Sequence, residues 1–234
     1  MKNSKINFFQ QATGIPFRGL LLVLFCTLSS LVKVSAQLSV SGSVETATAP
    51  FWDPINQNSE RFLRNGYGLG ANYHWRFGNN QAIALGPGIR YDHFKAGTLD
   101  VGPAELNISG ILLNARLYPG HFLFSCDCDE LKQRLFLEGN LGWHYAAMQV
   151  NSPDFQEIVQ DKGMSIGFGF GMHLNAGPNF ILSPIFRFCQ LPNINWEGLD
   201  RFLPNGSSPY FRTNSEIRIF QIELQISFIS LPKQ

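Results

Sequence analysis

Three histidines, His74, His144 and His173, stand on the polar side of segments in which polar and apolar residues alternate. An imidazole becomes a general base only with a nucleophile and an orienting acid in hydrogen-bond reach. His144, Ser165 and Glu138 lie on two successive alternating segments and could meet across neighbouring strands, an arrangement that would suit a lipid hydrolase or acyltransferase. No enzyme motif surrounds Ser165, so the three histidines read as polar interior residues and no catalytic residue is assigned. Cys126, Asp127, Cys128 and Asp129, with His121 upstream, offer two soft ligands and an imidazole. Their spacing matches no standard zinc site, and a local disulfide or a pair of free thiols fits an oxidising compartment better. Cys189 lies near the opposite end of its strand, too far away for either to reach. The sequence therefore assigns no metal and no cofactor.

The ionisable residues on the same polar series fall into two balanced sets. Glu45, Asp92, Glu138 and Glu223 carry one sign, and Arg76, Arg90, Arg116 and Arg187 the other. What they do depends on which way the alternating segments face.

Eight such segments can be marked: 37–47, 66–77, 82–94, 106–118, 134–148, 164–175, 180–189 and 217–228. The sixth is the cleanest. Met164, Ile166, Phe168, Phe170, Met172 and Leu174 alternate with Ser165, Gly167, Gly169, Gly171, His173 and Asn175, a period of two that specifies a strand with two unlike faces. In the second, Tyr67, Leu69, Ala71, Tyr73, Trp75 and Phe77 oppose Gly68, Gly70, Asn72, His74 and Arg76. Pro87 in the third lacks a ladder donor and predicts a bulge or local irregularity. Loop-length connections (50–65, 95–105, 150–162 and 190–215) alternate with tight ones (78–81 and 176–179), and 119–133 is a tight position filled at loop length.

The first 36 residues precede this pattern. Lys2, Lys5 and Arg18 lead into an apolar run from Gly19 to Val32, and Val34, Ser35 and Ala36 supply small residues before Gln37. The run is too short to span a bilayer as a helix, so it reads as a secretory signal peptide, residues 1–36, cleaved after Ala36. Cleavage removes four of the 18 basic residues and no acid, leaving 198 residues with 14 basic, 17 acidic and a net charge of −3. Residues 37–234 then form one domain. No basic patch or run of like charge is present, which argues against a nucleic-acid partner.

An all-β chain with one greasy and one polar series on every strand suits a closed antiparallel up-and-down transmembrane β-barrel of about eight strands. Hydropathy averages hide such strands, since each has a single apolar face. Short turns on one side and long loops on the other agree, as do Trp75 and Phe77 near one rim and Tyr67, Tyr91, Trp143 and Tyr145 near the other. In a barrel this narrow the interior is filled by side chains. The four Arg and four acids then form a bonded polar plug, with inward glycines such as Gly68, Gly70, Gly167, Gly169 and Gly171 making room. The alternative use of the same residues is a narrow polar pore. The inverted arrangement, a secreted lipocalin-type barrel with its polar face outward, is disfavoured by Trp and Tyr on the apolar series near the strand ends.

The long loops are the remaining place for recognition. Trp52 in the first and Trp196, Arg201, Phe202, Tyr210, Phe211 and Arg212 in the last form an aromatic and basic set of the kind enriched at binding surfaces. The competing reading is that they pack on one another or rest in lipopolysaccharide.

Through segments such as 68–73, 136–142 and the Phe-containing last strand ending near Phe228, the chain resembles the small eight-stranded outer-membrane barrels, OmpA-like, OmpX-like and OmpW-like. The resemblance implies integral residence in the bacterial outer membrane. It carries no single function, and residues 229–234 follow where members more often end on an aromatic. The expected function is a structural, adhesive or ligand-binding role through the extracellular loops. Its partners would be outer-membrane lipid, lipopolysaccharide and an extracellular ligand or protein. A small channel and an outer-membrane lipid-modifying enzyme are the alternatives.

Overall fold

The computed structural model describes residues 35–49, 61–77, 81–98, 102–123, 132–151, 156–177, 179–195 and 214–229. The strands are β1 Ser35–Thr48, β2 Leu63–Phe77, β3 Ile83–Thr98, β4 Gly102–Leu117, β5 Leu135–Asn151, β6 Gln156–Met172, the two-residue β7 Leu174–Asn175, β8 Phe180–Asn195 and β9 Asn214–Ile229. Every pairing is antiparallel. Strand β1 bonds both β2 and β9, and β6 bonds β8, so the sheet closes on itself and leaves no free edge at its seam. β7 continues the line of β6 after a break at His173, so the wall has eight staves. No helix among the described residues is long and apolar enough to cross a membrane.

The alternation decides which face points where. Leu69, Ile111 and Phe168 on the outer face are 59%, 67% and 66% exposed, whereas Glu223, Gln225 and Ser227, which alternate with outward residues of β9, are 1%, 0% and 0%. Polar groups sunk at this depth and apolar ones standing in the open make sense only if the barrel's surroundings are hydrocarbon. The apolar outer band on β6 runs from Met164 to Met172, about nine residues, close to the 9–11 that a tilted membrane strand needs. Phe168, Phe188 and Phe220 form a row of rings across β6, β8 and β9, with centroids 5.2 and 5.0 Å apart. Tyr67, Tyr91 and Trp143 stand exposed along the opposite end of the band from Phe77.

Above that aromatic line the polarity of the two faces inverts. Inward positions become Ala96, Leu106, Ile108, Met148, Val150, Val159, Ile217 and Ile219, all buried in one apolar cluster. The outward positions there carry Lys95, Glu105, Gln149, Lys162 and Arg218. This inversion corrects the expected loops. The stretch 95–105 is largely a continuation of β3 and β4, paired from Lys95↔Glu105 to Thr98↔Gly102. β6 likewise starts at Gln156 inside the expected loop 150–162, β8 runs on to Asn195, and β2 begins at Leu63. Strands that leave the bilayer need an ordinary apolar core inside, so their pattern is that of a soluble sheet. Reading only for grease outside ends each strand too early.

Pro87 produces no change of register. The β2–β3 ladder stops at Asn72↔Gly88 and resumes in step at Trp75↔Leu85, while Pro87 stays paired with Leu113 on its other side. The missing donor interrupts one ladder and leaves the alignment intact. Irregularities occur higher up, between Leu63 and Gly66 of β2 and between Leu191 and Ile194 of β8, where Asn193 has φ 57°. The connection after β4 includes one helical turn, Gly120–Leu123.

Candidate functional site: the barrel interior

The interior is stacked in three layers. At the base, Tyr118, Phe136 and Ile185 pack with Ala84. Here His173 engages Ser183 Oγ through Nδ1 at 2.7 Å and the Tyr118 hydroxyl through Nε2 at 3.1 Å. Arg76 lies over the Tyr118 ring, 4.8 Å from its centroid, and donates to Gln133 Oε1 at 2.9 Å.

The middle layer is ionic. Arg90 donates to Asp92 Oδ1 at 2.7 Å, Glu223 Oε2 at 2.6 Å and Glu45 Oε1 at 2.5 Å, and also to Ser43 Oγ at 2.8 Å. Arg187 donates to Glu223 Oε2 at 2.5 Å and to Glu138 Oε1 through Nε at 3.0 Å and through Nη2. Arg116 donates to Glu138 Oε2 and to Gln225 Oε1, each at 2.6 Å, with its guanidinium 4.5 Å from the Phe136 ring centroid. One connected chain of charges therefore runs from Asp92 and Glu45 through Arg90, Glu223, Arg187 and Glu138 to Arg116. It ties β1, β3, β4, β5, β8 and β9 together. All of these side chains are buried, and Arg is suited to the task because its planar fork meets several carboxylate oxygens at once.

Strands β2 and β6 add no charge to this chain and supply glycine instead. A Cβ on Gly68 would strike the carboxylates of Asp92 and Glu45 and lie 2.6 Å from Ser43 Oγ. Gly169 would place its Cβ 2.7 Å from the Phe186 carbonyl. The network occupies space that side chains at these positions would fill.

The structure thus joins Glu45, Arg90, Asp92, Arg116, Glu138, Arg187 and Glu223, and sets Arg76 apart at the base on Gln133. His144 Nε2 and Ser165 Oγ are hydrogen-bonded across β5 and β6, whereas the Glu138 oxygens are taken up by Arg116 and Arg187. The nucleophile, base and acid weighed from the sequence therefore divide into a Ser–His pair and a separately engaged carboxylate. His144 and Ser165 are buried beneath the apolar upper layer, of which buried Cys189 is a part. Trp52, Trp196, Arg201, Phe202, Tyr210, Phe211 and Arg212 lie outside the described residues, as do Cys126 and Cys128.

Sequence reasoning missed Gln133, Gln225 and Ser43 as partners of the arginines, and the whole upper layer. The latter had a signal, since alternation continues past each aromatic girdle residue with the two series exchanged.

No family model matches the chain, and no curated protein is detectably similar to it. Among solved structures, Neisserial surface protein A aligns with a TM-score of 0.47 at 10% identity, covering 84% of this chain and 99% of its own. Ail, the attachment invasion locus protein of Yersinia pestis, aligns at 0.47 and 11%, covering 83% and 98%. OprG of Pseudomonas aeruginosa, an outer membrane protein, aligns at 0.42 and 9%, covering 84% and 97%. Similarity at this level says nothing about what the chain binds or does. On its own strand order, closure and two-faced staves, the protein has the fold of the small eight-stranded outer-membrane β-barrels.

Proposed function

We propose that the protein is an integral barrel of the bacterial outer membrane, matured by removal of residues 1–36, that acts by binding at its extracellular end and conducts nothing through its lumen. The observation carrying this reading is the charge chain from Asp92 to Arg116, which crosses the lumen between six staves and is capped by the apolar upper layer. A polar pore needs a continuous wet path, and both layers stand across it. The binding set is Trp52, Trp196, Arg201, Phe202, Tyr210, Phe211 and Arg212, which combines large rings with guanidinium groups suited to sulfated, phosphorylated or acidic surfaces. Lipopolysaccharide and an extracellular ligand or protein are the corresponding partners, and the reading assigns no reaction and no cofactor.

The test joins two measurements. Folded protein that fractionates with membranes and shifts in gel mobility on boiling, yet gives a flat record in planar bilayers, is the expected result. Discrete conductance steps would refute the closed lumen, and recovery in the soluble fraction would refute membrane residence.

A further inference from the structure

Two hollows on the outer wall meet end to end. The first is a groove of about 600 Å³ that crosses the staves β6, β8, β9, β1 and β2. Its walls are two rows of ladder partners. The upper row runs Phe168↔Phe188↔Phe220↔Thr46↔Asn65 and the lower Phe170↔Phe186↔Ile222↔Val44. The floor is backbone, because the row between them, Gly169, Arg187, Gln221, Glu45 and Gly66, turns its side chains inward or has none. Val44, Phe168, Phe170, Phe186, Phe220 and Ile222 are each 48–66% exposed, so the groove is open surface and not packed core. Crossing from β6 to β2 covers four interstrand spacings of about 4.8 Å, roughly 19 Å in all.

Because membrane strands are tilted, a groove that runs across them climbs the wall. It starts at Phe168, in the middle of the apolar band from Met164 to Met172, and ends at Asn65, two residues above the girdle residue Tyr67. There the second hollow, about 370 Å³, takes over, and Thr46 and Asn65 line both. The register shift between Leu63 and Gly66 sets Arg64 beside Asn65 on the outer face, and Arg61 lines the same hollow. Among the described residues the one acid that lines either hollow is Glu45, whose carboxylate is turned inward onto Arg90. Of the outward acids at this height, Glu216 is held by Arg218 and Gln190, and Glu105 stands opposite Lys95.

We infer that the groove seats one acyl chain of a membrane lipid that bears a phosphomonoester, with the phosphate held at Arg61 and Arg64. Two guanidinium forks match the charge of such a group, about −1.5 to −2 at neutral pH, and the geometry of its oxygens. Stacked rings such as Phe170 and Phe186, 5.3 Å apart, give the chain a rigid apolar wall. The order of the two hollows, apolar at mid-bilayer and basic at headgroup height, is the order of groups along the lipid. The inference rests on the membrane residence and lipid partner proposed above, and is independent of the closed lumen.

The test places the full mature barrel in phosphatidylcholine nanodiscs containing a small fraction of phosphatidic acid with a photoreactive diazirine on its acyl chain, and maps the labelled residues by mass spectrometry. Outward Leu113, on β4 across the barrel from β9, reports ordinary lipid contact. The expected yield at Val44, Phe186 or Ile222 exceeds that at Leu113 about tenfold, ~1.4 kcal/mol. Phosphatidylcholine carrying the same diazirine should give a ratio near one. Arg61→Gln combined with Arg64→Gln should bring the phosphatidic acid ratio down towards one, whereas Arg61→Lys combined with Arg64→Lys keeps most of the excess. Thr46→Trp, which fills the junction of the two hollows, should lower it with both arginines in place, and Thr46→Leu repeats the block should that variant fail to insert. A wild-type ratio near one for phosphatidic acid, an excess shared by phosphatidylcholine, or an excess that survives loss of both arginines overturns the inference. A ratio well below one would mark the face as covered by a second copy of the chain and overturn it too. Absence of label at Leu113 as well as in the groove would refute membrane residence itself, and the groove with it.

Discussion

Arg187 and Glu138 meet across a single glycine. They stand on β8 and β5, the strands on either side of β6, and each is a ladder partner of Gly169. Arg187 donates to Glu138 through two nitrogens and reaches Glu223 with the third. The position between them is empty of side chain, so two long polar groups from non-adjacent staves close the gap over the stave that separates them. The barrel's interior is organised around that contact.

Removing Glu138 strands two buried guanidinium groups, because Arg116 and Arg187 both rely on it. Breaking one side of a buried ion pair costs about 3–5 kcal/mol, and Glu138→Ala is expected to lose that much stability. Arg116→Ala loses less, since Glu138 keeps Arg187. Urea unfolding of the refolded barrel, followed by tryptophan fluorescence and by gel mobility without boiling, measures both. A Glu138→Ala midpoint equal to the wild type would mean the network does not hold the fold together.

Two glycines on neighbouring staves give a matched comparison. Gly169 faces inward, where a Cβ would press on the Phe186 carbonyl and lie 3.4 Å from Arg187 Cβ, whereas Gly139 faces outward with nothing within 4 Å. Gly169→Val is therefore expected to destabilise by about 1–3 kcal/mol through overpacking, and Gly139→Val to be neutral or mildly stabilising, since β-branched residues suit strands. Equal effects in the same unfolding assay would contradict the assigned faces.

The strands inside the bilayer were legible because two demands act on every one of them at once. Phe168 must be apolar to meet lipid, and Gly169 must be small to admit Arg187, so alternation on β6 carries both messages. Outside the bilayer only one demand remains, a dry interior. Ile217 and Ile219 inward with Arg218 outward satisfy it, and that pattern reads as loop or as misregistered strand if hydrocarbon is assumed on the outside. The charges of the interior were legible as a set, yet their pairing was not. Which carboxylate Arg187 meets is fixed by the closure of β6 on β8, a contact between staves that no local pattern encodes. Arg76 shows the consequence, since it shares the inward series with the others but sits too far toward the base and takes Gln133.

The inversion of polarity makes its own prediction at consecutive residues. Ile217 is 1% exposed above the girdle, while Arg218 beside it faces out and pairs with Glu216. Ile217→Asn places an amide in the apolar layer, where a polar group without partners costs about 1–3 kcal/mol by protein mutational data, and the unfolding midpoint should fall accordingly. Arg218→Gln removes only an exposed pair and should shift it by less than about 1 kcal/mol. Lower on the same strand the order reverses, so Ile222→Asn reports lipid contact and Gln221→Leu reports the polar interior.

Ser165 separates an interior hydrogen-bond role from a chemical one. Its hydroxyl is bonded to His144 and buried at 2% exposure, and the Glu138 carboxylate that could orient an imidazole is held by arginines. Ser165→Ala strands the His144 ring and is expected to cost about 1–3 kcal/mol. Ser165→Thr, which keeps the hydroxyl, should recover part of that loss. Wild-type protein in phospholipid vesicles is expected to release no fatty acid above a protein-free control. Release that disappears in Ser165→Ala while the variant's gel mobility stays that of the folded barrel would make Ser165 a nucleophile after all.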